Sequence, residues 1–194
     1  MLPISILGAS GRMGRNLIEA VINDPQTQLH SATVRSSSSM LNVDAGELTG
    51  TGKLGIALQT QSEVELEQCA VIIDFTLPEA LDTNLEWAVT HNTPIVIGTT
   101  GLNAQQLATL HAAAKHIPIV FAANYSVGVN LLIKLSQQAA KIMGDTADIE
   151  IIETHHRHKI DAPSGTALAL GEGIAQTLQR DLANDAVYGR EGHT

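Results

Sequence analysis

Residues 155–159 read His-His-Arg-His-Lys, and the segment HHRHKIDAPSGT ends in a Pro-Ser-Gly-Thr turn before an apolar helical pattern. His155, His156, Arg157, His158 and Lys159 thus gather in a chain whose formal net charge is −9. Ser164 is placed to cap a helix, which leaves the N–H groups of Gly165 and Thr166 free for a ligand. Cationic side chains beside a helix N-terminus attract anions by charge and by dipole. Two carboxylates on one small molecule suit such a site. Imidazole adds a proton donor near neutral pH, which no permanent cation supplies. Extended backbone would send His155, Arg157 and Lys159 to one side and His156 and His158 to the other, with Pro163 expected to bend the chain. Two other readings compete: a metal site on His156 and His158, and a plain solvated basic surface. Asp161 could orient a histidine or pair with Lys159.

A second motif lies near the N-terminus. GASGRMG places Gly8, Gly11 and Gly14 between a strand pattern and a helix pattern. Glycines let backbone approach a pyrophosphate, and the helix start offers N–H groups to it. The spacing G-x-x-G-x-x-G is a variant of the commoner fingerprint. A tight strand–helix turn without a ligand is the alternative. Where an acid usually binds the ribose hydroxyls of NAD, the chain reads Val34, Arg35 and then four serines. Arginine and hydroxyls suit a 2′-phosphate, so NADPH is the preferred cofactor, with NADH possible. Arg35 as a solvated loop charge is the bland reading.

These motifs need elements to hold them. Apolar β-rich runs at 4–7, 29–34, 70–75, 94–100 and 117–123 predict buried strands. Helix patterns cover 12–24, the stretch through Trp87 and the stretch after Asn103. Thr76 is expected to cap with Glu79 at the third position, and Asn103 with Gln106. Residues 36–62 read as loop with a short edge strand. This alternation predicts an α/β fold, a Rossmann-like doubly wound parallel sheet. Ligands bind such sheets at the carboxyl ends of the strands. The loops there are GASGRM, VRSS, DFT, GTTG and AANYS. From Tyr125 the rhythm changes: a long helix to Gly144, a strand over 148–156 and a helix over 164–180. The expected division is 1–124 for dinucleotide binding and 125–194 for a second, C-terminally incomplete α+β domain that binds substrate and assembles.

Composition narrows the class. Apolar residues make up 44% of the 194, enough for a buried core. Aromatic residues are 3% and the balance is acidic, which excludes the basic, base-stacking surface of a nucleic-acid binder. Cys69 is the single cysteine and sits in an apolar run, so a buried thiol in a reducing cytoplasm is expected. No leader pattern and no membrane-length apolar run is visible.

Together GASGRMG, DFT, GTTG, AANYSVGVN and ETHHRHKIDAPSGTA resemble the 4-hydroxy-tetrahydrodipicolinate (dihydrodipicolinate) reductase family, along the whole chain. The resemblance implies reduction of a cyclic dicarboxylate in the diaminopimelate route to lysine. It implies that His155 is the general acid/base and Lys159 a second proton donor. It implies carboxylate contacts from His156, Lys159, Gly165 and Thr166. The cofactor wall it implies comprises Gly8, Ala9, Ser10, Gly11, Arg12, Met13, Arg35, Gly98, Thr99, Thr100, Ala122, Ala123, Asn124 and Tyr125. Val34 departs from a family that often carries an acid there, which tells against strong NADH use. Family members form homotetramers and continue past Thr194, so weak turnover and impaired assembly are expected of residues 1–194 alone. Two other functions stay open: a non-catalytic nucleotide sensor, for which the basic cluster would be idle, and a reductase for another small carboxylate.

Overall fold

The computed structural model describes residues 1–155, 157, 159 and 161–193. The chain forms two compact units, Met1–Ala122 and Ala123–Thr194.

The first unit is built around β1 (Leu2–Leu7), α1 (Arg12–Asn23), β2 (Thr27–Thr33), α2 (Ala45–Thr49), β3 (Leu58–Gln59), β4 (Val71–Asp74), α3 (Leu81–Thr90), β5 (Ile95–Ile97), α4 (Ala104–Ala113) and β6 (Ile119–Phe121). Its sheet runs β3-β2-β1-β4-β5-β6 with every neighbouring pair parallel. That order is the doubly wound Rossmann arrangement, whose switch point lies between β1 and β4. α1 buries Gly14, Ile18 and Val21, one face at helical spacing. One core cluster joins Ile4, Ile6, Ile18 and Leu58; another joins Ile72, Leu81, Leu85, Ile95 and Ile97. Each such side chain taken from water contributes about 1.5–3 kcal/mol. The polar exception on β1, Ser5, is fully buried and bonds its register partner Ser31, hydroxyl to hydroxyl at 2.7 Å. Neither hydroxyl is left unpaired, so neither carries a desolvation penalty uncompensated.

The 36–62 stretch carries the expected short edge strand as β3, and also a helix, α2, where loop was expected; Asp44 fastens it. The Asp44 carboxylate accepts backbone N–H bonds from Gly46 (2.9 Å), Glu47 (3.3 Å), Leu54 (3.0 Å) and Gly55 (2.7 Å). The Leu54 N–H is the largest of the influences that hold this carboxyl below its ordinary value. Asn103 does cap α4, in a reciprocal box with Gln106. Thr76 does not cap: Pro78–Ala80 is a 3₁₀ turn entered at Leu77 with no side-chain cap, and Thr76 is drawn to Asp74 instead.

The second unit contains α5 (Val127–Met143), β7 (Asp161–Ala162), α6 (Gly165–Thr177), α7 (Leu182–Asp185) and β8 (Gly192–His193). Ser126 caps α5 by accepting the Val129 N–H, so the helix starts two residues after Tyr125. Small residues let α5 and α6 approach. A side chain at Gly173 would press on Ile133 and Gln137, and Gln137 donates to the Gly173 carbonyl. The strand expected over 148–156 is not present in the described residues. Its alternation exists in sequence, but a strand also needs a ladder partner, and the ladder described in this unit is β7 with β8. Ile149, Ile151 and Ile152 are consequently exposed, Ile152 at 87%. No helix among the described residues is long and apolar enough to cross a membrane.

Candidate active site

In the first unit the predicted glycine loop forms the turn from β1 to α1. Gly8 has φ +65, which favours glycine, and its carbonyl accepts the Gly11 N–H at 3.0 Å. Gly11 is the N-cap of α1, with extended backbone and no side-chain cap. The helix start is therefore left to an outside acceptor. A side chain at Gly14 would collide with the Gly8 carbonyl and with Ala9 backbone, so the third glycine is fixed by packing. Gly11, Arg12 and Met13 are exposed, and Ala9 is buried with its N–H bonded to Thr33 at 2.9 Å. Ser10 gives its carbonyl to Arg15 Nε at 3.2 Å.

The neighbouring rim is locked from below. Asp74, fully buried, accepts the Thr76 N–H (2.8 Å), the Thr76 hydroxyl (2.6 Å) and Asn84 Nδ2 (2.8 Å). Thr76 in turn backs the glycine loop: a Cβ at Gly8 would lie 2.9 Å from its Cγ2. Thr99 donates to the Thr76 carbonyl at 3.1 Å, and the Phe75 ring fills the space a Gly98 side chain would need. The loops after β1, β4 and β5 are thus one interlocked edge, with Thr100 exposed on it. Asp74 stands in the DFT motif without a role assigned to it, and Asn84 stands in no motif. The signal was an acid and an amide in an apolar stretch, where such groups are rarely buried unpaired. Val34 is buried in the core, while Arg35 is exposed and begins a turn by accepting the Ser38 N–H. Ala122 bonds Ile97 from its N–H.

In the second unit Asn124 ties two helix starts. Its Oδ1 accepts the Ser126 N–H at 2.7 Å, and its Nδ2 donates to Thr166 Oγ1 at 3.4 Å. Tyr125 is 41% exposed. Ser164 caps α6 as expected, accepting the Ala167 N–H at 3.1 Å. His155, Arg157 and Lys159 line one open cavity of about 1170 Å³, together with Glu153, Pro163 and Arg190. Gly165 and Thr166 stand at the start of α6, next to the capping Ser164. Glu153 was missed: its carboxylate accepts the Ser164 N–H at 2.8 Å and the Ser164 hydroxyl, and lies 3.7 Å from His155 Nδ1. His156 and His158 lie outside the described residues, and Asp161 supplies backbone to β7. Among the described residues no group of three His, Cys, Asp or Glu could hold a metal ion.

The glycine turn before an α1 start with no side-chain cap fits a dinucleotide pyrophosphate. The cationic wall beside the α6 start fits carboxylates.

Comparison with known proteins agrees. The family described as "Dihydrodipicolinate reductase, N-terminus" matches residues 2–125, and "Dihydrodipicolinate reductase, C-terminus" matches residues 128–192. A 4-hydroxy-tetrahydrodipicolinate reductase of Pseudoalteromonas atlantica is 58% identical over 194 residues, covering 100% of this chain and 73% of that relative. One from Acinetobacter baumannii is 56% identical over 98% of this chain and 70% of its own length. Dipicolinate-bound dihydrodipicolinate reductase from Paenisporosarcina sp. TG-14 superposes with TM-score 0.72 at 26% identity, over 100% of this chain and 72% of that one. Biliverdin reductase from Synechocystis, solved with biliverdin and NADP+, shares the fold at TM-score 0.54 and 16% identity, over 76% of this chain and 44% of its own.

Proposed function

The chain belongs to the dihydrodipicolinate reductase family, and from that premise we propose that it reduces 4-hydroxy-tetrahydrodipicolinate with a nicotinamide cofactor, in the diaminopimelate route to lysine. The observation that carries this reading is a cleft wall where His155 and Lys159 stand together near the Ser164-capped start of α6. A non-catalytic sensor has no use for a proton donor in that place.

A bound dihydronicotinamide supplies the hydride. The chain's own residues do the rest. Backbone from Gly8 to Met13 holds the pyrophosphate, and Arg35 with the serines after it holds a 2′-phosphate, which makes NADPH the preferred form and NADH the weaker one. Gly98, Thr99, Thr100, Ala122, Ala123, Asn124 and Tyr125 form the wall for the remainder of the cofactor. Lys159, Gly165, Thr166 and His156 bind the two carboxylates of the substrate. His155 gives the proton that neutralises charge developing on the ring, and Lys159 assists. Such acid help contributes roughly 10²–10⁴-fold.

Residues 1–124 carry the dinucleotide role, and 125–194 carry substrate binding and assembly, with a homotetramer as the working unit. A cytoplasmic setting accords with the lone thiol of Cys69, half-buried against Ser5 and backbone. The deciding experiment is substrate-dependent oxidation of NADPH. His155→Gln should lower kcat by roughly 10²-fold or more with a smaller change in KM. An unchanged kcat removes His155 from the mechanism.

A further inference from the structure

Glu153 is an anion placed in a cleft that should attract anions. By like charge it weakens the pull on a dicarboxylate, so its position calls for a different cause. Its contacts supply one. Oε1 accepts the Ser164 N–H at 2.8 Å, and Oε2 accepts the Ser164 hydroxyl. The same Oε2 lies 3.7 Å from His155 Nδ1. Ser164 Oγ then accepts the Ala167 N–H at 3.1 Å. One carboxylate therefore joins the segment before the histidines, the His155 ring and the first turn of α6.

We propose that Glu153 is the positioning residue for His155, holding the ring with its proton on Nδ1 so that Nε2 is the nitrogen that hands a proton to substrate. This rests on the reading of His155 as the general acid. When Nε2 gives up its proton, the neutral ring left behind keeps Nδ1–H toward Glu153. The 3.7 Å contact is longer than a hydrogen bond, as acid–base pairs often are before substrate closes on them. The tie to Ser164 adds a second consequence: the acid and the helix start that would bind carboxylate are held in one register. Burial opposes charge on Glu153, but the Ser164 hydroxyl and N–H, and then His155 and Lys159, outweigh it and keep the carboxyl below its ordinary value. It is thus an anion throughout the neutral range.

The test pairs Glu153→Gln with His155→Gln. A glutamine oxygen still accepts from Ser164, so the cap survives and Tm should hardly move, while the charge facing the ring is lost. Nitrogen-15 NMR of the His155 ring, recorded where imidazole is neutral, should show the proton on Nδ1 in the wild type. In Glu153→Gln it should move toward Nε2. In NADPH oxidation, Glu153→Gln should lower kcat roughly tenfold without raising KM, and change kcat by less than about twofold when His155 is already glutamine. An unaltered tautomer in Glu153→Gln overturns the proposal, as does an equal loss of kcat in both backgrounds. If His155→Gln alone leaves kcat intact, the acid role fails instead, and the NMR result still decides what Glu153 does to the ring.

Discussion

Asp74 shows how much of a site a single buried side chain can carry. It is fully buried and accepts three bonds, two from Thr76 and one from Asn84, so its removal strands donors in the core. Asp74→Ala should cost roughly 3 kcal/mol, read as a fall in Tm of roughly 10 °C, and should also weaken NADPH binding because Thr76 backs Gly8. Binding unchanged at lowered Tm would confine Asp74 to stability. Arg35 belongs to the same scale. It is exposed beside Val34, which offers no carboxylate to a ribose hydroxyl, and its guanidinium is the group proposed to meet a 2′-phosphate. Arg35→Ala should reduce the NADPH over NADH ratio of kcat/KM by roughly tenfold, and a clear NADH preference in the unsubstituted protein refutes this role. Residues with a motif were legible: Gly8, Gly11, Gly14, His155, Lys159 and Ser164 each announce themselves by type and spacing. Asp74 and Glu153 stand inside the DFT and ETHHRHK motifs, but what they bond is not legible there, because it lies with partners ten and eleven residues away, Asn84 and Ser164, which no local pattern reveals.

At the scale of elements, sequence periodicity was a good guide where local energy decides. The α4 cap at Asn103 and the α6 cap at Ser164 follow from side chains that satisfy N–H groups next to them. It failed where partners decide. The 148–156 alternation is real, yet no ladder forms on it among the described residues, since strand structure belongs to pairs. The α2 segment was hidden for the opposite reason. Five residues carry too little pattern to see, and one aspartate with four backbone donors sets it. That device has a pH signature. Asp44 is held below its ordinary value in the folded chain, chiefly by the Leu54 N–H, so it stabilises fully above the ordinary carboxylate range. The contribution is lost as pH falls through the lowered folded value. Asp44→Asn should lower Tm at neutral pH and flatten its decline between about pH 5 and pH 3. An identical slope in both proteins would show that the staple carries no linked proton.

For the whole molecule, a six-stranded parallel sheet in the Rossmann order supplies a nicotinamide platform, and a helical unit supplies a cationic cleft. Both were legible as classes from alternation and from HHRHKIDAPSGT, because each rests on short-range pattern. The relatives say which pairing of the two this is. The central claim is that this pairing selects a doubly negative ring. The most direct measurement is calorimetric titration of dipicolinate into the NADPH-saturated protein, beside its Lys159→Ala variant. The account predicts saturable binding that weakens at least about tenfold in the variant, the loss of one charge-assisted contact. No binding, or equal binding by both proteins, would contradict it.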